Sequence, residues 1–334
     1  METIERNVIK KCPRLAAITW HPAMKMPTTL ATSERNPNRL YYVTDMQWAP
    51  AVGGDLNIVV GMENGTASNI NLSDTEGNND FFCPNAFTAD RITYRHYYAQ
   101  QTEHRVCRGW ESLVLPFNVQ GIRHEEKGTI SPFAALDEDR IDAGEKPFWL
   151  YRYTDGGIWE SADKVEANVP YIISLPNEDF YEPIYRIGGN VTFEATNVQV
   201  EATTEEVLQG VQAGSLTFRP AFQKENYVSE KYLLNVGTAY YGHPEGSLFI
   251  RYFRGAHPFE AYFTAIGSGV KPYFSVFDDM VDGIESLKAM DNGQCTKDNA
   301  VYDLIGRKII NHQSSNHKLP HGVYIQNGKK FVVK

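Results

Sequence analysis

Short apolar runs separated by Gly, Pro and Asn-Gly joints, recurring at roughly ten- to fifteen-residue intervals, constrain this chain more than any other feature. They dominate from about residue 81 onward. Lys146-Pro-Phe-Trp-Leu-Tyr-Arg-Tyr153 alternates, with Phe148, Leu150 and Arg152 on one face and Trp149, Tyr151 and Tyr153 on the other, and Asp155-Gly-Gly157 follows as a turn. Val169–Leu175, Asn190–Ala195, Asn197–Ala202, Gly214–Arg219, Lys231–Val236, Ser247–Phe253 and Glu260–Ala265 read as further strands. Ser112–Val119 is apolar but holds Pro116, which predicts an edge or a bulge. Helical periodicity is scarce, with Thr203–Leu208 the best candidate. The fold class expected is mainly β, with a β-sandwich-like middle domain over residues 76–281.

The two flanks differ from this middle part. In Cys12-Pro-Arg-Leu15-Ala-Ala-Ile18-Thr-Trp20 the C-x-x-L-x-x-I spacing suits a turn handing over to a short strand, the pattern of a leucine-rich-repeat coil. Asn36–Val43 and Leu56–Val60 supply further short strands. Leu15 and Ile18 equally suit the core of a short amphipathic segment, because one repeat needs neighbours to bury its faces. Residues 1–75 are therefore read as a terminal repeat coil or cap. Residues 282–334 form a small C-terminal β module, in which Gly322–Gln326 and Lys330–Val333 flank Asn327-Gly328, the strongest short hairpin signal.

The chain has 334 residues, 42% hydrophobic and 22% charged, which suits two or three soluble globular domains. Aromatic residues reach 12%, a bias towards pleated, half-buried surfaces. A net charge of −9, with Lys329-Lys330 and nearby Lys334 as the longest basic cluster, argues against a nucleic-acid partner. No window approaches the roughly 18 apolar residues of a transmembrane helix. Met1-Glu-Thr-Ile-Glu-Arg6 lacks a signal peptide's basic and apolar regions, so the chain is either cytoplasmic or a piece of a longer exported protein.

Several chemistries can be weighed against blander readings. Cys83 and Cys107 flank a strand-like stretch and are the disulfide candidate, although separate buried thiols fit as well. Gly267-Ser-Gly269 lacks the flanks of a nucleophile elbow. His104 beside Cys107 is a loop neighbour rather than a dyad. His312, His317 and His321 lack thiolate or carboxylate partners at ligand spacing. Asp74 to Asp80 alternates oxygen-bearing side chains but misses the glycine and terminal glutamate of a calcium loop. The acidic run Asp137, Glu138, Asp139 and Asp142 reads as solvated surface. Glu111, Glu160 and Asp163 are carboxylates of the type a glycosidase pairs, with no separation fixed by sequence. The aromatic face of Trp149, Tyr151 and Tyr153 is the binding candidate, because such rings stack on sugars and anchor interfaces; packing in the core is the competing reading.

Three stretches resemble the BspA-like leucine-rich-repeat surface and secreted proteins of Bacteroidetes. Val301-Tyr-Asp-Leu-Ile-Gly-Arg-Lys308 followed by Leu319-Pro-His-Gly-Val-Tyr-Ile-Gln-Asn-Gly-Lys-Lys330 is similar to their C-terminal module, and to sorting domains of exported proteins, in a shortened form. Cys12–Val43 resembles the last coils of the repeat array. Phe82–Ala89, Gly109–Phe117 and Pro170–Ser174 resemble the β domain that often follows. The resemblance implies an exported protein, lipid-anchored or secreted, at the extracellular or outer-membrane surface, with a binding surface for a host protein or glycan. The missing catalytic and ligand-spacing motifs lead to the expectation of a non-enzymatic adhesion or ligand-binding role with no cofactor and no metal. A monomeric chain is expected. A carbohydrate- or peptide-active enzyme module and a purely structural spacer are the alternatives.

Overall fold

The computed structural model describes residues 12–20, 36–48, 56–74, 79–99, 102, 108–178, 181, 183–225, 230–251, 253–266 and 271–277, together with the strands 301–303, 308–309, 322–326 and 329–333. The chain is mainly β, with a large mixed sheet and a second, antiparallel sheet.

The mixed sheet starts with three short parallel strands, β1 (Ala17–Thr19), β2 (Leu40–Val43) and β3 (Asn57–Val60), in register through Ile18, Tyr41 and Ile58. A parallel strand covered on both faces reads as an unbroken apolar run, and Leu40-Tyr-Tyr-Val43 is such a run, with all four residues buried. Leu40 and Tyr42 enter the main core, while Tyr41 and Val43 pack with Trp20 on the other side. Buried Asn38 and Asn57 hold the joints between strands. Asn38 donates to the carbonyls of Ser73 and Asn79 and accepts from Ser73 N; Asn57 donates to Pro37 and Asn71 and accepts from Asn71 N. Each amide replaces backbone partners that the tight turns leave out.

The sheet continues through β4 (Gly65–Ala67) and β5 (Ile70–Ser73), both parallel to the long β6 (Phe87–Tyr98). The expected boundary at residues 75–76 lies outside the described residues, and the strands on either side of it share one sheet. Strand β7 (Glu111–Leu113) ends before Pro116, so the apolar run over Ser112–Val119 is only partly strand. β8 (Gly121–His124), β9 (Gly128–Pro132), β10 (Lys146–Tyr153), β11 (Trp159–Ser161) and β12 (Tyr171–Ser174) follow. The two runs expected at 190–195 and 197–202 form one strand, β13 (Gly189–Val200), paired along its length with β6. The sheet order is β1-β2-β3-β4-β6-β13-β8-β9-β10-β12-β7, with β5 also on β6 and β11 on β10.

The helical expectation was misplaced. Within 203–208 the chain forms turns from Glu205 onward and no helix, whereas the acidic run forms α1 (Glu138–Asp142). Asp137 caps it by accepting from Arg140 N at 2.9 Å, and Glu138 and Asp139 sit in the first turn, where the helix dipole favours negative charge.

The second sheet holds β14 (Val211–Ala213), β15 (Leu216–Ala221), β16 (Lys231–Leu234), β17 (Leu248–Arg251), β18 (Glu260–Ala265) and β19 (Tyr273–Ser275), in the order β14-β15-β18-β16-β17-β19. It meets the mixed sheet over an aromatic core in which Trp110, Tyr153 and Ile172 of one face Phe218, Phe249 and Phe263 of the other. Ala261 N donates to Ser112 Oγ at 2.9 Å, and Val114 N to Phe259 O at 2.9 Å, stitching the sheets along β7. In the C-terminal module β20 (Val301–Asp303), β21 (Lys308–Ile309), β22 (Gly322–Gln326) and β23 (Lys329–Val333) form an antiparallel sheet, with Gln326 opposite Lys329. That register leaves Asn327-Gly328 as the connection, although those two residues and the expected boundary at 281–282 lie outside the described ones.

Candidate functional site

Trp149, Tyr151 and Tyr153 do share a face of β10, but that face is packed. Tyr153 is buried, with Phe263, Trp159 and Phe218 at 4.9, 5.2 and 6.2 Å between ring centroids. Half-buried Tyr151 meets Trp110 at 5.5 Å and Phe277 at 5.8 Å, and half-buried Trp149 meets Phe133 at 5.2 Å and Tyr181 at 6.1 Å. The second sheet covers Tyr153, while Tyr151 and Trp149 stay half-buried among neighbouring rings, so the face offers a ligand little open ring surface.

The other sequence candidates disperse. Cys83 is a buried free thiol beside the Tyr42 hydroxyl, its pKa pushed up to about 11 chiefly by burial, which makes it a poor nucleophile. Cys107, His104, His312, His317, His321 and Ser268 lie outside the described residues. Asp80 is held by Arg14 and accepts from Lys224 N, so its carboxylate ties the chain before β1 to the segment after β15. Asp163 lines a shallow cleft of about 230 Å³ with Glu166, Arg152, Lys164 and Tyr171, where the Lys164–Glu166 pair spans 3.0 Å. Glu160 lies beside it, paired with Arg152 at 3.3 Å. These exposed charges alternate in sign rather than forming a facing carboxylate pair.

Glu111 belongs to a cluster that sequence reading missed. His96 of β6 has Nδ1 2.6 Å from Asp74 and Nε2 2.8 Å from Glu111, and Tyr94 donates to the same Asp74 at 2.8 Å. Burial opposes charge on the ring, but the two carboxylates outweigh it and push the His96 pKa up to about 10. Both nitrogens therefore donate, and neither is left to act as a base or hold a metal. The imidazole also fills the gap between Asp74 and Glu111, where a glycosidase pair would hold its substrate. The cluster is an ionic clamp joining β5, β6 and β7.

One group of rings faces outward. The segment between β16 and β17 forms a hairpin tip in which Tyr240 N donates to His243 O and His243 N to Tyr240 O, each at 2.9 Å. Between them Tyr241 and Gly242 have φ of +44° and +81°, the positive pair that a two-residue type I′ turn requires. Glycine adopts that conformation readily, but a tyrosine there is an outlier, costing roughly 1–2 kcal/mol. Tyr241 is 82% exposed. Tyr240 lies 4.5 Å from it at 78°, and also adjoins Phe253 at 6.2 Å and Tyr273 at 6.0 Å. His243 reaches Tyr273 at 5.6 Å.

The base beneath this tip is rigid. Fully buried Asn235 donates to the carbonyls of Thr238 and Pro244 and accepts from Ser247 N and Leu248 N, so both limbs of the loop hang on one amide. Gly246 N donates to Asn235 O, while Gly109 N and Trp110 N donate to Glu245 O and Gly246 O. A Cβ on Gly246 would come 2.5 Å from Trp110 N, so only glycine fits this crossing. The tip is thus an exposed Tyr241 ring beside the half-buried Tyr240, His243, Phe253 and Tyr273 on a hydrogen-bonded stem, an arrangement suited to contact rather than to bond making. No family model, curated protein or solved structure matches this chain.

Proposed function

We propose that the chain is a non-enzymatic ligand-binding module of an extracellular surface or secreted protein, and that it contacts its ligand through the Tyr240–His243 tip. Tyr241 carries this reading: a large ring, 82% exposed, held at positive φ on a stem built from buried groups. Strain in a bulky residue persists only where surrounding structure enforces it, and such outliers gather at binding sites. Exposed tyrosine gives large contact area at little entropic cost, with a hydroxyl to orient a partner. The extracellular part of the reading is supported by the sequence resemblance of the C-terminal module and by the stacked parallel strands β1 to β3.

The test is a binding screen of the chain against a glycan array and extracellular-matrix proteins, repeated with Tyr241→Ala. The side chain is exposed, so the variant keeps its near-ultraviolet circular dichroism. Affinity for whatever ligand the screen identifies is expected to fall roughly tenfold or more, as for an aromatic anchor at an interface. Undiminished binding by the variant would exclude the tip as the contact site.

A further inference from the structure

We infer that the Tyr240–Tyr241 corner receives the terminal pyranose of an uncharged glycan, a ligand class resting on the binding-module reading above. Sites that bind the interior of a polysaccharide need rings lying nearly coplanar along a line, so that successive sugars stack. Here the rings stand on edge to one another: Tyr241, Phe253 and Tyr273 make angles of 78°, 80° and 75° with Tyr240. The arrangement is a corner, with the open face of Tyr241 as floor and Tyr240 as wall. A corner accepts one face and one edge of a single six-membered ring and blocks the chain from continuing past the wall.

The polar groups agree with this. Tyr240, Tyr241 and Tyr273 bring phenol hydroxyls, and His243 an imidazole, to the same group of rings. Each hydroxyl both donates and accepts, which matches the mixed hydrogen-bonding of sugar hydroxyls, while the C–H-bearing face of a pyranose packs on an aromatic plane. Phe253 and the three phenols bring no charge, and the Tyr240 phenol is held above its ordinary pKa by desolvation and by neighbouring Tyr241 and Tyr273. A proline-rich peptide also docks between aromatic ridges, but its prolyl backbone offers carbonyl acceptors alone, where sugar hydroxyls use both the donor and the acceptor of each phenol.

Saturation-transfer NMR and calorimetry on the full chain test the assignment, with methyl β-D-galactopyranoside, methyl β-D-glucopyranoside, N-acetylglucosamine, cellohexaose and a proline-rich decapeptide as probes. At least one monosaccharide is expected to bind in the millimolar range, with Tyr241→Ala weakening it roughly tenfold and Tyr241→Trp retaining it. Lengthening the glycan beyond its terminal residue is expected to add little. Absence of binding by every sugar, affinity that climbs steadily with chain length, or binding of the peptide alone would each overturn the assignment. A protein ligand that needs Tyr241 while all sugars fail would remove the glycan and leave the binding-module reading intact.

Discussion

His96 has Asp74 on one ring nitrogen and Glu111 on the other, so the folded chain holds an extra proton that the unfolded chain releases near its ordinary pKa of 6.5. Tyr94 and Tyr98 of the same strand complete its surroundings, Tyr98 at 4.3 Å and Tyr94 at 6.3 Å between centroids. The folded pKa is the raised one. The stabilisation is therefore fully present below pH 6.5 and is lost as pH rises through about 10. Within that window the unfolding free energy is expected to fall by about 1.4 kcal/mol per pH unit, one proton's worth, relative to His96→Gln. Urea titrations of both proteins from pH 6 to 10 measure the difference (sampled at roughly one-unit steps); parallel curves would mean that His96 carries no proton in the fold. Nothing in the sequence pointed to this clamp, because its three members come from separate strands. Only the parallel pairing of β5 with β6, and the position of β7, bring them together.

The loop from Val236 to Gly246 shows what an element can specify that its sequence conceals. Strands β16 and β17 were legible as short apolar runs between turn residues, but the joint between them was not. Type I′ turns are recognised by Asn-Gly or Asp-Gly, and here Tyr241-Gly242 fills the same two positions. Asn235 and Gly246, which set the geometry, look like ordinary polar and turn residues until their partners are known. Gly246 has φ of +63° and lies against Trp110 backbone, so an added methyl meets both strain and a clash that cannot relax through a side chain. Gly246→Ala is expected to cost roughly 2–4 kcal/mol, while Gly242→Ala, with open space around it, costs only about 1 kcal/mol of backbone strain. Thermal unfolding of the two variants ranks them. Equal losses would mean that the Trp110 crossing does not anchor the loop. The reverse case is the start of the mixed sheet, where short strands are expected at Ile18, Leu40–Val43 and Leu56–Val60 and β1, β2 and β3 lie there.

At the scale of the whole molecule, alternation in β10 showed which side chains share a face but not what covers that face. Tyr153 is covered by Phe218 and Phe263 from strands of the second sheet, at a separation along the chain that local pattern cannot encode. The result is an intersheet core with tyrosine where phenylalanine would pack equally well: the Tyr153 hydroxyl is buried without a partner among the described residues. Burial accordingly pushes its pKa up to about 12. Removing an unpaired buried hydroxyl relieves a desolvation penalty, so Tyr153→Phe is expected to be neutral or more stable by about 1 kcal/mol. Tyr153→Ala removes the ring that touches Phe263, Phe218 and Trp159 and should cost roughly 3–5 kcal/mol. Trp110, Trp149 and Trp159 all lie at this boundary, so tryptophan fluorescence reports on the joint while far-ultraviolet circular dichroism reports on total strand content. If the sheets stabilise one another through this core, the alanine variant lowers both urea midpoints together. A fluorescence transition that moves while the dichroism transition stays in place would show the sheets to be separately stable, with the aromatic core as a contact between them rather than the basis of a common fold.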